Sequence, residues 1–199
     1  MALTVNNSIF IHLPKTGGTF LRNVLLKFSS DAVTDVSQGF HRYLDTHDLS
    51  KYDFSFSIVR HPIAWYESVW KHINIVKTKG IGWGGNTHTL SEIEKYYSKN
   101  FNIFIKNVID NEPGFYSNAL KDYIGPNYDS VDFVARTENL YEDSCYILDK
   151  LGISYDIDIL NATHTFARNE EIIWDSLNKE LILQAESKII DKFYNTIFI

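Results

Sequence analysis

Residues 8–19 read SIFIHLPKTGGT, and this stretch predicts three structural elements in succession. The first six residues are short, apolar and partly β-branched, which is typical of a buried strand. Pro14 and the glycines at 17 and 18 then mark a tight loop. From Thr19 onward the apolar residues recur at helical spacing, at Phe20, Leu21, Val24, Leu25 and Phe28. We therefore expect a strand, a glycine loop and a helix.

A second unit of the same kind follows further along the chain. Residues 54–59, FSFSIV, alternate in the manner of a strand that ends at Arg60. Pro62 suits the first turn of a helix, where its missing N–H group costs nothing. We therefore expect a second strand that leads directly into a second helix.

A third unit begins with residues 131–135, VDFVA, which form another predicted strand ending at Arg136. A helix over residues 139–151 is expected next, with Gly152 in its C-terminal cap position. Apolar spacing also predicts a helix over residues 101–110. The strands of all three units thus alternate with helices.

Three further features complete the expected secondary structure. Residues 79–89 contain four glycines and are expected to form a mobile loop. Ser91 and Glu94 have the spacing of a capping box, which predicts the start of a helix. Residues 170–193 have the pattern of one long amphipathic helix that closes the domain.

The alternation of strands and helices predicts an α/β fold, with a parallel sheet covered by helices on both faces to give three layers. The 199 residues suit a single domain over residues 1–199. Ligands of such sheets bind beyond the carboxyl ends of the strands. Because the three predicted strands end next to Lys15, Arg60 and Arg136, we expect these cations to meet at one edge.

The composition restricts the class of ligand. Apolar residues make up 44% of the chain, which indicates a compact core, and the net charge is −6, from 19 basic and 25 acidic residues. This balance argues against nucleic acid or an anionic membrane as a partner. Cys145 is the single cysteine, and neither a signal peptide nor a membrane span is evident in the sequence, so we expect a reducing, cytoplasmic setting. An anionic ligand must be held by a few local groups.

The loop at residues 14–19 has the residue types of an anion cradle. Two glycines let the backbone approach a ligand, and the following helix presents N–H groups and a positive dipole end. Lys15 adds a full positive charge. Its position before the glycines differs from the G-x-x-x-x-G-K-[ST] order of nucleotide P-loops. The alternative is an ordinary glycine turn with a solvated Lys15.

Residues 60–70, RHPIAWYESVW, form a second candidate anion site. Arg60 ends a strand, and Ser68 lies roughly two turns into the next helix. A guanidinium and a hydroxyl in these places can bracket one phosphate group. The alternative is that Arg60 pairs with a carboxylate while Ser68 faces solvent.

The PKTGGT loop, followed by an R-x-P-x-x-x-x-x-S-x-aromatic segment, resembles the family of sulfotransferases that use 3′-phosphoadenosine-5′-phosphosulfate (PAPS). Residues 131–152 also resemble a later strand-and-helix unit of that family. The resemblance implies a P-loop NTPase-like sulfotransferase fold. It also implies transfer of a sulfuryl group from PAPS to a hydroxyl acceptor, with 3′-phosphoadenosine-5′-phosphate (PAP) as the product and no requirement for a metal.

The resemblance assigns a role to each motif residue. The 5′-phosphosulfate is expected to contact Lys15, Thr16, Gly17, Gly18 and Thr19. The 3′-phosphate is expected to contact Arg60 and Ser68, and Lys15 is expected to assist the leaving oxygen. Membrane-anchored relatives often carry an arginine where this sequence has Trp65 or Tyr66, and they have an N-terminal anchor that is missing here. These differences leave the acceptor open: glycan hydroxyls, small alcohols, phenols and peptide tyrosines all remain, and the resemblance favours a glycan or a small alcohol.

A hydroxyl acceptor needs a general base, and the chain has seven histidines. Many relatives carry a histidine shortly before the second motif, and His41 is in that place. His47 is the second candidate. His12 is expected to be a core histidine, because it precedes the loop within an apolar strand.

Two other functions compete with sulfuryl transfer. An ATP-dependent kinase of the P-loop type would need a carboxylate at the end of a neighbouring strand to hold magnesium, where this chain has Arg60. A non-catalytic module that binds PAPS or PAP would need no donor at the leaving oxygen, which is the place of Lys15.

Overall fold

The computed structural model describes residues 2–35, 44, 47–80, 88–163 and 171–195. Within these ranges the strands are β1 (Ala2–Val5), β2 (Ser8–Ile11), β3 (Val33–Asp35), β4 (Phe54–Val59) and β5 (Phe133–Arg136). The α-helices there are α1 (Gly18–Ser29), α2 (Pro62–Lys79), α3 (His88–Glu94), α4 (Phe101–Asn111), α5 (Phe115–Ile124), α6 (Leu140–Lys150), α7 (Ile157–Thr163), α8 (Ser176–Ala185) and α9 (Ser187–Phe193). None of the helices so described is long and apolar enough to span a bilayer.

The strands form one sheet in the order β3-β1-β2-β4-β5. The three strands predicted from the sequence are confirmed as β2, β4 and β5, and they pair in parallel. The sheet is nevertheless mixed rather than parallel throughout, because β1 runs antiparallel to both β2 and β3. The turn at Asn6 and Asn7 is the reason: a connection this short can join only antiparallel strands. Asn6 adopts a φ of 49°, which asparagine tolerates better than most residues.

Helices cover both faces of the sheet, which confirms the three-layer α/β architecture. Ile9 and Ile11 of β2 point into a core shared with α2, α4 and α5. Phe10, between them, points into a second core shared with α1 and α6. This alternation follows from the two-residue period of a strand. The carboxyl edge of the parallel strands is therefore left between two helical layers.

Several helix boundaries differ from the sequence predictions. Ser91 lies inside α3, where its hydroxyl donates to the carbonyl of His88 at 2.8 Å, so the predicted capping box is wrong. The helices α2 and α3 occupy both ends of the predicted loop at 79–89, and residues 81–87 lie outside the described residues. The predicted helix over 139–151 is confirmed as α6, and Gly152 follows it with a φ of 66°.

The predicted long helix over residues 170–193 is also wrong. Asp175 caps the start of α8, where its carboxylate accepts from the Asn178 N–H at 3.0 Å. Trp174 precedes that helix, and Glu186 separates α8 from α9. The break has a tertiary cause, because the Glu186 side chain is fully buried and bonded to other elements.

The Glu186 carboxylate joins three elements inside the core. One of its oxygens accepts from the Tyr66 hydroxyl of α2 at 2.6 Å and from the Tyr116 N–H at 3.1 Å. The other accepts from the Ser117 N–H at 2.8 Å and from the Ser117 hydroxyl. These N–H groups open α5 and have no partner within that helix. Burial raises the pKa of Glu186, and its hydrogen bonds oppose that rise.

We expect Glu186→Ala to lower the free energy of unfolding by about 3 kcal/mol, because the buried Tyr66 hydroxyl and two N–H groups lose their acceptor. Urea unfolding followed by circular dichroism measures the change. Glu180→Ala, at an exposed position of α8, is the control and should change stability by less than about 0.5 kcal/mol. Equal effects of the two substitutions would contradict this account of Glu186.

Candidate functional site

The carboxyl edge of β2, β4 and β5 brings two of the three predicted cations together. The Arg60 guanidinium donates through Nη1 to the carbonyl of Lys15 at 3.3 Å. Arg136 points elsewhere, and its Nη1 donates to the carbonyl of Phe193 at 3.4 Å. Neither Lys15 nor Arg60 forms a salt bridge with a carboxylate in the described part of the chain. The alternative in which Arg60 pairs with a carboxylate therefore has no support there.

The loop between β2 and α1 requires glycine at two positions. Gly17 caps α1 with a φ of 98°, in the left-handed region that favours glycine. A Cβ atom on Gly18 would lie 2.0 Å from Nε2 of His12, so a larger residue would collide with that ring. His12 is itself buried and stacks on Phe10 at a centroid distance of 4.9 Å, as expected for a core histidine. The loop and the core beneath it thus fit only with this pair of glycines.

Three donors bind three successive carbonyl oxygens of the loop. Trp65 Nε1 donates to the Pro14 carbonyl at 3.0 Å, Arg60 Nη1 to that of Lys15, and Thr137 Oγ1 to that of Thr16 at 2.6 Å. The carbonyl and the N–H of one trans peptide point in opposite directions. The N–H groups of Lys15, Thr16 and Gly17 therefore point away from these donors.

The N–H groups of this loop have no hydrogen-bond acceptor in the described part of the chain. Those of residues 15–19 donate to no described atom, and α1 adds the positive end of its dipole. Thr16 is buried, and its hydroxyl donates to the Leu13 carbonyl at 2.8 Å, so this hydroxyl is already used within the protein. Thr19 is exposed in the first turn of α1. The arrangement is a concave set of donors suited to an anion.

Two residues that support this loop have no motif in the sequence. Thr137 follows β5, and its hydroxyl also contacts the Val59 carbonyl at 2.9 Å, so it ties the loop to the end of β4. Tyr116, in the first turn of α5, places its hydroxyl on the Arg60 backbone. In the sequence, the position of Thr137 next to Arg136 was the one feature that indicated a place near the site. Nothing in the sequence links Tyr116 to the site.

The two cations carry an electrostatic cost that an anion would reduce. Burial lowers the pKa of Lys15, and the positive charge of Arg60 lowers it further. Burial also lowers the pKa of Arg60, against smaller opposing contributions that begin with Glu138. The Arg60 Nε atom is buried, and it has no hydrogen-bond acceptor among the described residues. A charge desolvated in this way is favourable when a bound anion pairs with it.

The α2 helix presents two further polar residues on the side of Trp65. Ser68 lies three residues after Trp65 and His72 four residues after Ser68, so the three share one face. Ser68 is half-buried. Burial and then the charge of Lys15 lower the pKa of His72, which favours the neutral imidazole. His72 received no role in the sequence analysis, although its spacing from Ser68 was visible there.

Three more histidines belong to segments near the two motifs. His41, the preferred base, lies outside the described residues. His47 is half-buried, and its N–H donates to the Leu44 carbonyl at 3.0 Å. His61 precedes α2 as its N-cap residue.

Glu138, the carboxylate with the largest electrostatic effect on Arg60, is committed to protein donors. Glu138 accepts from the His61 N–H at 2.8 Å and from the Tyr194 hydroxyl at 2.9 Å. In the described ranges no group of three or more His, Cys, Asp or Glu side chains is arranged to hold a metal ion. The polar groups at this edge are thus mainly donors and cations.

Comparison with protein families indicates which class of reaction this donor-rich edge serves. The family model described as the sulfotransferase family matches residues 4–196. The chain belongs to the sulfotransferase family. The match covers the loop, the Arg60 segment and the C-terminal helices, which is nearly the whole chain. Membership of this family supports the transfer of a sulfuryl group as the reaction of this sulfotransferase. No curated protein and no solved structure matches it.

We expect proton uptake when an anionic ligand such as PAP binds beside Lys15 at alkaline pH, because the bound anion raises the lowered pKa of Lys15. The uptake is confined to the interval between the free and bound pKa values of Lys15. Calorimetric titration in buffers of different ionisation enthalpy measures it. Lys15→Arg should remove the uptake, since a guanidinium stays charged; the same uptake in Lys15→Arg would show that another group titrates.

Proposed function

We propose that this sulfotransferase uses PAPS as its donor and a hydroxyl of a small-molecule or glycan as its acceptor. The main support is the loop at residues 15–19. Among the described residues, its N–H groups have no acceptor, and the two half-buried cations beside it have no carboxylate partner. This set of donors suits a ligand with two separated anionic groups. The motif resemblance supports PAPS as this ligand.

The 5′ end of the donor would lie on the glycine loop. The N–H groups of Lys15, Thr16, Gly17, Gly18 and Thr19 would surround its phosphosulfate. Helix α1 begins at Gly18, so its dipole would add to this attraction. Thr16 would contribute through its backbone alone, because its hydroxyl is bound to Leu13.

The 3′-phosphate would lie against Arg60 and Ser68. Arg60 has one guanidinium N–H committed to the Lys15 carbonyl, and its remaining donors are available for a phosphate. Ser68 lies two turns into α2, and its hydroxyl makes no hydrogen bond to the described residues. A planar fork together with a hydroxyl gives the directional contacts that distinguish a phosphate from a diffuse negative charge.

Sulfuryl transfer breaks the bond between sulfur and the bridging oxygen of the donor and forms a bond between sulfur and the acceptor oxygen. Lys15, when protonated, would stabilise the bridging oxygen as it gains charge, and the loop N–H groups would hold the released phosphate. The proton of the acceptor hydroxyl goes to a general base. We propose that this reaction proceeds without a metal ion.

In the described part of the chain, the kinase alternative has no carboxylate placed to hold magnesium at the strand ends. P-loop kinases hold the metal with a carboxylate near a strand end. Here Arg60 and Arg136 occupy the ends of β4 and β5, and Glu138 is bonded to His61 and Tyr194. A non-catalytic binding module is the remaining alternative, and turnover distinguishes it from an enzyme.

His41 is proposed as the general base, from its place before the second motif, and His47 is the second candidate. The structure adds His72 as a competitor, because it shares a helix face with Ser68 and its pKa responds to Lys15. A neutral imidazole is the form that accepts a proton. These three histidines can be separated by substitution.

We expect the wild-type protein to convert PAPS to PAP in EDTA when an acceptor from a panel of sugars and alcohols is present. Lys15→Ala should lower kcat by about 10²- to 10³-fold, because the leaving oxygen loses its cation. Lys27→Ala, at an exposed position on α1, is the control and should leave kcat unchanged. Turnover that needs magnesium, or that survives in Lys15→Ala, would contradict the scheme.

The general base is identified by comparing His41→Ala, His47→Ala and His72→Ala with the same acceptor. We expect His41→Ala to remove most acceptor-dependent turnover, by about 10²-fold or more, while PAP affinity stays at the wild-type value. If His72→Ala or His47→Ala has this effect instead, the proposed role of His41 is wrong. A parallel loss of PAP affinity would indicate a role in donor binding rather than proton transfer.

A further inference from the structure

Tyr116 lies behind the proposed donor site, in a place that no motif assigns. We propose that Tyr116 is a positioning residue that holds Arg60 in the orientation needed for the 3′-phosphate, and that Glu186 holds Tyr116 in turn. This inference rests on the proposed use of a 3′-phosphorylated donor. It is carried by hydrogen bonds among buried residues that are distant in sequence.

The Tyr116 hydroxyl satisfies both backbone groups of Arg60. It accepts from the Arg60 N–H at 3.0 Å and donates to the Arg60 carbonyl at 3.0 Å. Arg60 lies between the end of β4 at Val59 and the start of α2 at Pro62. One phenolic oxygen therefore fixes the peptide groups on both sides of the Arg60 Cα atom.

The ring of Tyr116 also reaches the glycine loop. It stacks on the Trp65 ring at a centroid distance of 4.4 Å and an interplanar angle of 14°. Trp65 in turn donates through Nε1 to the Pro14 carbonyl. Tyr116 thus contacts Arg60 directly and the glycine loop through Trp65. Both rings are fully buried, which restricts their movement.

Glu186 sets the position of Tyr116. Its carboxylate accepts from the Tyr116 N–H and the Ser117 N–H, which fixes the start of α5. The same carboxylate accepts from the Tyr66 hydroxyl. The Tyr66 hydroxyl also accepts from the Tyr116 N–H at 3.4 Å, so Tyr66 belongs to the same network. Tyr123 of α5 is equally buried, and its hydroxyl is hydrogen-bonded to that of Thr89 at 3.2 Å, so Tyr123 is the matched control for Tyr116.

The Tyr116 hydroxyl therefore affects how well ordered the Arg60 guanidinium is before a ligand binds. Arg60 is held at its backbone by Tyr116 and at Nη1 by the Lys15 carbonyl. Without the Tyr116 hydroxyl, only the second restraint remains. A 3′-phosphate would then have to order the arginine on binding, and that ordering reduces affinity. A ligand without the 3′-phosphate would be affected little.

The test compares Tyr116→Phe with Tyr123→Phe by calorimetric titration with PAP and with 5′-AMP in EDTA. Phenylalanine keeps the ring and its stacking on Trp65, and thermal unfolding verifies that each variant is folded. We expect Tyr116→Phe to weaken PAP binding about tenfold and 5′-AMP binding little, so that the preference for PAP falls. Tyr123→Phe should leave that preference unchanged, although it also removes a buried hydrogen bond.

A wild-type preference in Tyr116→Phe would overturn the positioning role and leave the proposed function standing. A wild-type protein without any preference for PAP would overturn the proposed function itself. A second measurement combines Tyr116→Phe with Arg60→Ala. If Tyr116 acts through Arg60, the two losses of PAP affinity do not add; additive losses would overturn the proposal even when Tyr116→Phe is less stable.

Discussion

The binding of three successive carbonyl groups, at Pro14, Lys15 and Thr16, is the interaction on which the site depends. Because each carbonyl is bound from one side, the N–H group of the same peptide points to the other side. There it lies near the positive end of the α1 dipole. The donors to these carbonyls come from three different segments, namely α2, the end of β4 and the turn after β5. The parallel pairing of β2, β4 and β5 is what brings those segments to one edge. The sheet topology therefore determines the anion-binding geometry.

Local placement of charge explains how an acidic chain can favour an anion. The chain has a net charge of −6, yet Lys15 and Arg60 lie together at this edge without a described carboxylate partner. Glu138, the nearby acid, is satisfied by His61 and Tyr194. Burial lowers the pKa of both cations, which shows that each carries a desolvation cost. A phosphate or sulfate group offsets that cost, whereas a neutral ligand does not.

Local patterns were sufficient to predict the strand, loop and helix at residues 8–28 and the second unit that begins at β4. They could not predict features that depend on contacts between distant residues. The turn at Asn6 and Asn7, which reverses β1, joins strands too short for a clear alternating pattern. The helix break at Glu186 arises from hydrogen bonds to α2 and α5, and Glu186 has no helix-breaking propensity of its own. Tyr116 contacts Arg60 across 56 residues of sequence, so no spacing rule applies to it.

The central claim is that the donor is a 3′-phosphorylated nucleotide bound without a metal. Calorimetric titration of the wild-type protein with PAP in EDTA, beside ATP with magnesium, tests it most directly. The account predicts that PAP binds in EDTA and that magnesium does not improve its affinity, while ATP binds more weakly. Absence of PAP binding, together with magnesium-dependent binding of ATP, would contradict the account and favour a kinase.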